Sequence, residues 1–201
     1  NSVGLYSARD EFAIHWERDN VEKTLKNFIA LEEEEARKKY NLGDDSSEWK
    51  VIFAQKDVRS SQLDISRIYP ISYRPFDTRF TYYTGTSRGL ICRPRPEVMS
   101  HMLAGDNLAI CFMRNSREQV VSNFLVAQGL VDKTVLSSAD NAYLAPLYIY
   151  PDTQNNQGSL FVEKSPNFSS EFLGAIREKL GYIPTPEAIF YYIYAIFHSP
   201  T

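Results

Sequence analysis

Nine basic side chains lie between residues 59 and 117, and every one is an arginine: Arg59, Arg67, Arg74, Arg79, Arg88, Arg93, Arg95, Arg114 and Arg117. Only 4 acidic residues accompany them, whereas residues 1–58 carry 9 basic and 13 acidic side chains and residues 118–201 carry 4 and 8. Lysine suffices for solubility; the planar guanidinium fork suits bidentate contact with phosphate, guanine or carboxylate. A basic stripe inside a chain of net charge −3 therefore points to a directed surface and an anionic partner.

The arginines fall into groups with different chemistry. Arg88, Arg93 and Arg95 sit on backbone punctuated by Gly85, Gly89, Pro94 and Pro96, and run directly into a helix start, which can seat a phosphate. A solvated loop is the alternative. Met113-Arg114-Asn115-Ser116-Arg117-Glu118-Gln119 follows an apolar strand pattern. Arginine can read guanine there, and Asn or Gln can read adenine, unless the segment is only a polar hairpin turn. Ser138 and Asn141 belong to a second polar loop of the same sort. The run Tyr73-Arg74-Pro75-Phe76-Asp77-Thr78-Arg79-Phe80-Thr81-Tyr82-Tyr83 interleaves arginines with aromatics. Arg79 could take phosphate or base edges there while a tyrosine stacks. In the structural alternative, Arg74 pairs with Asp77 across the bend and the aromatics fill the core. Tyr82 and Tyr83, adjacent on a strand, should face opposite ways.

Catalytic chemistry is not advertised. There is no Gly-x-Gly-x-x-Gly and no glycine-rich phosphate loop. His15, His101 and His198 are scattered, and neither they nor Cys92 and Cys111 have metal-ligand spacing. Both cysteines lie in apolar surroundings and read as buried thiols of a reducing compartment. No catalytic and no metal-binding residues are expected.

The elements that must position these groups suggest an α+β fold. With 201 residues, 43% of them hydrophobic and 13% aromatic, the chain can bury a core as one large domain or a domain with appendages. No apolar run approaches the roughly 18 residues of a bilayer crossing, and the start lacks a signal peptide's pattern, so a cytoplasmic, non-membrane protein is expected. The first residue is not Met and the end breaks off in mid-pattern, as a piece of a longer polypeptide would. Residues 1–58 read as a helical connector after a possible strand at 11–15. They include a stripe of Val21, Leu25, Phe28 and Ile29, an acidic-then-basic helix over 32–39, and a short helix over 47–55. Residues 59–151 read as a mixed-sheet core: strands either side of Pro75-Phe76-Asp77, a helix over 94–103, and strands over 107–113, 119–127, 133–136 and 143–150. A linker at 151–158 precedes the C-terminal helical segment, 159–201. That segment holds one helix capped by Ser169 or Ser170 and ended by Gly181, and one opened by Thr185-Pro186-Glu187, the latter apolar all round.

Tyr73-Arg74-Pro75-Phe76-Asp77-Thr78-Arg79, Tyr82-Tyr83 and Leu90-Ile91-Cys92-Arg93-Pro94-Arg95 resemble the C-terminal specificity domain of Type ISP restriction–modification enzymes and their adenine-methylase relatives. Leu130-Val131-Asp132-Lys133, Ala145-Pro146-Leu147-Tyr148-Ile149-Tyr150-Pro151 and Pro186-Glu187-Ala188-Ile189-Phe190-Tyr191-Tyr192-Ile193-Tyr194-Ala195 extend the resemblance over most of the chain. It implies a target-recognition domain that binds double-stranded DNA beside an N6-adenine methyltransferase domain of the same polypeptide, with or without a motor and nuclease. S-adenosylmethionine would serve that other domain and no cofactor this one, because the Asn-Pro-Pro-Tyr type tetrapeptide and the cofactor loop are missing here. On this reading Arg88, Arg93 and Arg95 position phosphates. Arg114, Asn115, Arg117 and Gln119, with Ser138 and Asn141, read bases. A non-catalytic scaffold that binds a partner through the arginine stripe and final helix is the rival.

Overall fold

The computed structural model describes residues 2–114, 124–151 and 164–199. Among these, helices pack around two four-stranded sheets, an α+β architecture. One sheet has the order β1 (Ser2–Val3), β8 (Tyr143–Pro146), β5 (Ala109–Phe112), β6 (Leu125–Ala127), paired antiparallel throughout. The other has the order β2 (Ile14–His15), β4 (Asp77–Tyr82), β3 (Ile68–Arg74), β7 (Leu130–Val131), with β3 and β7 parallel. Residues 1–58 thus supply a strand to each sheet, and one hydrophobic cluster runs from Leu5 and Phe28 through Ile71 and Tyr82 to Leu144.

The helices before β3 are built as their apolar spacing dictates. Helix α2 (Arg18–Ala30) buries Val21, Leu25 and Phe28, one stripe of a 3.6-residue period. Its orphan C-terminal carbonyls are met from α4 (Val51–Ser60). There the buried Gln55 amide donates to Phe28 O and Leu31 O at 2.9 Å, and the Arg59 guanidinium donates to Ile29 O. Arg59 is thereby tied to the end of α2. Helix α3 (Glu33–Lys39) carries the acidic-then-basic run, with Arg37 bridging Glu33, Glu34 and Asp45. Helix α4 begins later than the expected 47–55. The Ser46 hydroxyl accepts the Glu48 and Trp49 N–H groups, which holds those residues in a turn instead. Trp49 then packs fully buried against Phe12, with its Nε1 donating to Leu90 O at 3.1 Å. The expected strand at 11–15 is divided into α1 (Asp10–Ala13) and β2.

Further on, three expectations are corrected. Residues 133–136 are not a strand: Asp132 Oδ1 accepts the Thr134 N–H at 2.8 Å, an Asx-type turn that ends β7 at Val131. The expected strand over 143–150 changes partner at Leu147, whose N–H goes to Leu108 O. It becomes β8 and a separate β9 (Tyr148–Ile149), paired with β10 (Ser165–Pro166). Tyr82 and Tyr83 are both buried, because β4 ends at Tyr82 and alternation ends with it; the Tyr83 hydroxyl donates to Pro94 O. Of the expected strand over 119–127, β6 is the described part, and residues 119–123 lie outside the described residues.

Helix α5 (Pro96–Leu103) opens on its proline and buries Val98, Met99 and Met102. Helix α6 (Ser170–Leu180) is capped by Ser169 Oγ and closed by Gly181 at φ +79°, and α7 (Pro186–Phe197) is capped by Thr185 Oγ1. Helix α7 anchors through Phe190 to a second cluster of Ile110, Leu147, Tyr148 and Tyr150, and leaves Tyr191, Tyr192 and Ile196 exposed.

Candidate nucleic-acid interface

The Tyr-Arg-Pro-Phe-Asp block forms the β3–β4 hairpin, in which Arg74 and Asp77 are register partners and Pro75-Phe76 is the two-residue turn. Proline sets the first turn position; Phe76 takes the second at φ +61°. The expected Arg74–Asp77 ion pair does not form. Arg74 instead donates Nη1 to Asp132 Oδ1 at 3.0 Å and approaches Asp10, while Asp77 chelates Arg79 at 2.9–3.1 Å. Strand pleating explains the exchange: residues two apart on one strand share a face, which gives Arg79 its Asp77, and the parallel β7 delivers Asp132 beside Arg74. Tyr73 lies between the two guanidinium groups, with Arg74 Cζ 3.8 Å and Arg79 Cζ 4.2 Å from its ring centroid. Trp16, 65% exposed, covers the far side of Arg79 at 4.1 Å. The aromatics do not all fill the core, because Phe76 at the turn is 97% exposed. Both arginines of this block face carboxylates, Arg79 that of Asp77 on its own strand.

Asp132 was legible only as part of a family stretch, yet it is central. It is 2% exposed, and burial outweighs its hydrogen bonds from Thr134 and its pairing with Arg74, so its carboxyl is held above the usual range. Residues 4–6 run beside it: Leu5 bridges Asp132 in parallel, and Tyr6 bridges Arg93 antiparallel. Lys133 N–H donates to Leu5 O and Ala142 N–H to Lys133 O. A Cβ on Gly4 would lie 2.5 Å from the Asp132 carbonyl carbon, so glycine is required for this approach. The N-terminal segment thereby ties the Arg93 segment to the loop that carries Ser138 and Asn141.

The arginines between β4 and α5 differ in what holds them. Arg93 pairs with Glu48. Arg95 caps α5 in the left-handed region at φ +55°, with Nη1 3.9 Å from Glu97 and a buried Nε without a partner. Arg88 is exposed at φ +58°, and its side chain makes no ion pair or hydrogen bond among the described residues. At the end of the antiparallel sheet, register places Arg114, just after β5, opposite the chain entering β8. Its Cζ lies 4.4 Å from the Tyr143 ring centroid. Ser138 and Asn141 are exposed on that same approach to β8. Register therefore brings Arg114 and the segment of Asn141 to one sheet end, while Ser138 lies exposed earlier in the same loop. Asn115, Arg117 and Gln119 lie outside the described residues. Among the described residues no group of His, Cys, Asp and Glu could hold a metal ion, and no helix is long and apolar enough to cross a membrane.

The chain is thus an α+β domain with a clamped hairpin and an arginine-bearing sheet end, and the sequence match specifies its family. The family model for the Type ISP C-terminal specificity domain matches residues 1–201, and the chain belongs to that family. Among solved structures, the fold is similar to that of the ATP-dependent Type ISP restriction-modification enzyme LlaBIII bound to DNA, with a TM-score of 0.64 and 21% identity. It is also similar to the DrdV–DNA complex (0.62, 20%) and to a nuclease-deletion mutant of the Type ISP enzyme LlaGI in complex with a DNA substrate mimic (0.59, 18%). The matches cover 98%, 99% and 98% of this chain but only 13%, 19% and 18% of those proteins. No curated protein matches the sequence.

Proposed function

We propose that this domain recognises a DNA target sequence for a restriction–modification adenine-N6 methyltransferase and is itself non-catalytic. Membership of the specificity-domain family over residues 1–201 is the observation that carries the reading. The DNA-bound state of the similar structures and the register of Arg114 opposite the chain entering β8 support it. In this reading residues 1–58 lead from a methyltransferase domain of the same polypeptide, 59–151 hold the recognition surface and 159–201 form the C-terminal segment, all in the cytoplasm. S-adenosylmethionine is used by the methyltransferase domain. Arg114, Asn115, Arg117 and Gln119 read bases, while Arg88 and Arg93 meet phosphates and set register. The rival scaffold reading rests on the apolar groove of about 590 Å³ that Phe172, Ile176, Leu180, Tyr192 and Ile196 line between α6 and α7.

The test is selection of bound duplexes from a randomised pool. The wild-type chain should enrich one sequence, and Arg114→Ala or Arg117→Ala should relax it at one base pair, a loss of about 1–3 kcal/mol in discrimination. Arg93→Ala should weaken all duplexes alike. Binding without enrichment refutes sequence recognition, and no binding at low salt favours the scaffold.

A further inference from the structure

Between helix α4 and the turn at residues 84–90 lies a cleft of about 300 Å³. Its far wall is the turn itself, which Asp57 pins to the helix. The buried Asp57 carboxylate accepts the Thr84 hydroxyl at 2.8 and 3.0 Å and the Leu90 N–H at 2.9 Å, so a single side chain grips both ends of the turn. The fit is close: a Cβ on Gly89 would lie 2.2 Å from Asp57 Oδ2. The grip holds Arg88 at φ +58°, a backbone conformation an arginine does not choose on its own.

Two cations line this cleft, Lys56 from the helix and Arg88 from the turn, and both are exposed. Neither side chain forms an ion pair or hydrogen bond among the described residues, whereas Arg74, Arg79, Arg93 and Arg95 each face a carboxylate. Two like charges lining one small cleft repel each other, and an anion between them removes that repulsion. The single opposing charge, Asp57, already has Thr84 and Leu90 as donors. The cleft thus carries one net positive charge, the complement of a monoanionic phosphodiester. Ser87 adds a hydroxyl donor, and the half-exposed Phe53 offers an apolar wall to a sugar.

We infer that this cleft seats one backbone phosphate of the bound duplex, with Lys56 and Arg88 sharing that phosphate and Asp57 as the positioning residue of the turn. The inference rests on the DNA-binding reading above and adds the site at which the backbone is held.

A double-mutant cycle tests it. A labelled duplex of mixed sequence is titrated with the full 201-residue chain, with Lys56→Ala, with Arg88→Ala and with the double variant, each across a salt series. Each single change should weaken binding by about 5- to 10-fold and flatten the log K against log salt slope by less than about 1, because the remaining cation still faces the phosphate. The double variant should lose less than the product of the two single losses, with a total slope change of about 1, because both cations act on the same phosphate. Arg88→Gly, which suits the left-handed backbone, should lose as much affinity as Arg88→Ala without unfolding the turn. Multiplicative losses with a slope change near 2 would show two separate phosphates and overturn the shared seat. Wild-type affinity in all variants would overturn the cleft as a contact. A wild-type chain that binds no duplex at low salt would instead overturn the DNA reading itself.

Discussion

Replacing Arg74 with methionine removes the guanidinium that faces Asp132 while keeping most of the aliphatic stem. Asp132 is 2% exposed, and Arg74 Nη1 lies 3.0 Å from it. Breaking a buried ion pair by deleting one partner costs about 3–5 kcal/mol. Here Arg74 retains 32% side-chain exposure, and Asp132 keeps two donors from Thr134, so about 2–3 kcal/mol is expected. The pH dependence has a definite sign. Burial already holds the Asp132 carboxyl above its unfolded value, so the folded state binds this proton more tightly. The contribution of this group to stability therefore grows as pH falls through the folded pKa. Loss of Arg74 raises that pKa further. The deficit of Arg74→Met relative to wild type should thus be larger at neutral than at mildly acidic pH. Urea unfolding at both pH values measures it, and Arg74→Met/Asp132→Asn should recover most of the loss, because the amide oxygen still accepts from Thr134. A deficit under about 1 kcal/mol at pH 7, or one that widens on acidification, would refute the buried-pair account of the hairpin.

Three other outcomes follow from the same geometry. Phe76→Asn should raise stability by about 0.5–1 kcal/mol in urea, since the ring is 97% exposed and Asn tolerates the left-handed φ; a loss above about 1 kcal/mol would mean the ring is packed. Gly4→Ala should cost about 2 kcal/mol or more by forcing residues 4–6 away from Asp132 and Lys133, and an unchanged melting temperature would show that this contact is slack. Burial pushes the Cys111 thiol up to about 12 and raises Cys92 as well, so a disulfide reagent should label neither until urea unfolds the chain; rapid labelling of Cys111 under native conditions would contradict its burial.

What could be read locally came through in the structure. Apolar spacing of 3.6 residues located the buried faces of α2 and α5, and Ser169, Gly181 and Thr185-Pro186 marked the ends of the last two helices, because capping and periodicity depend on residues within a turn or two. The hairpin turn at Pro75-Phe76 was equally local, and so was the family signature that surrounds it. Ion-pair partners were not. Arg74 and Asp77 are adjacent in register, but the carboxylate that Arg74 meets is 58 residues away, delivered by a parallel strand that no local pattern announces. The fate of the arginine stripe was decided in the same way. Composition marked nine residues as one basic surface, and packing then assigned Arg59 to a helix end and Arg74 and Arg79 to carboxylates of the hairpin and its neighbours, while Arg93 keeps an exposed pairing with Glu48 at the surface. Arg88 was left exposed beside Lys56, a residue from the acidic first block that composition gave no reason to notice. Charge type and spacing are properties of the chain, whereas which charges stay available to a partner depends on the carboxylates and carbonyls that the fold brings within reach.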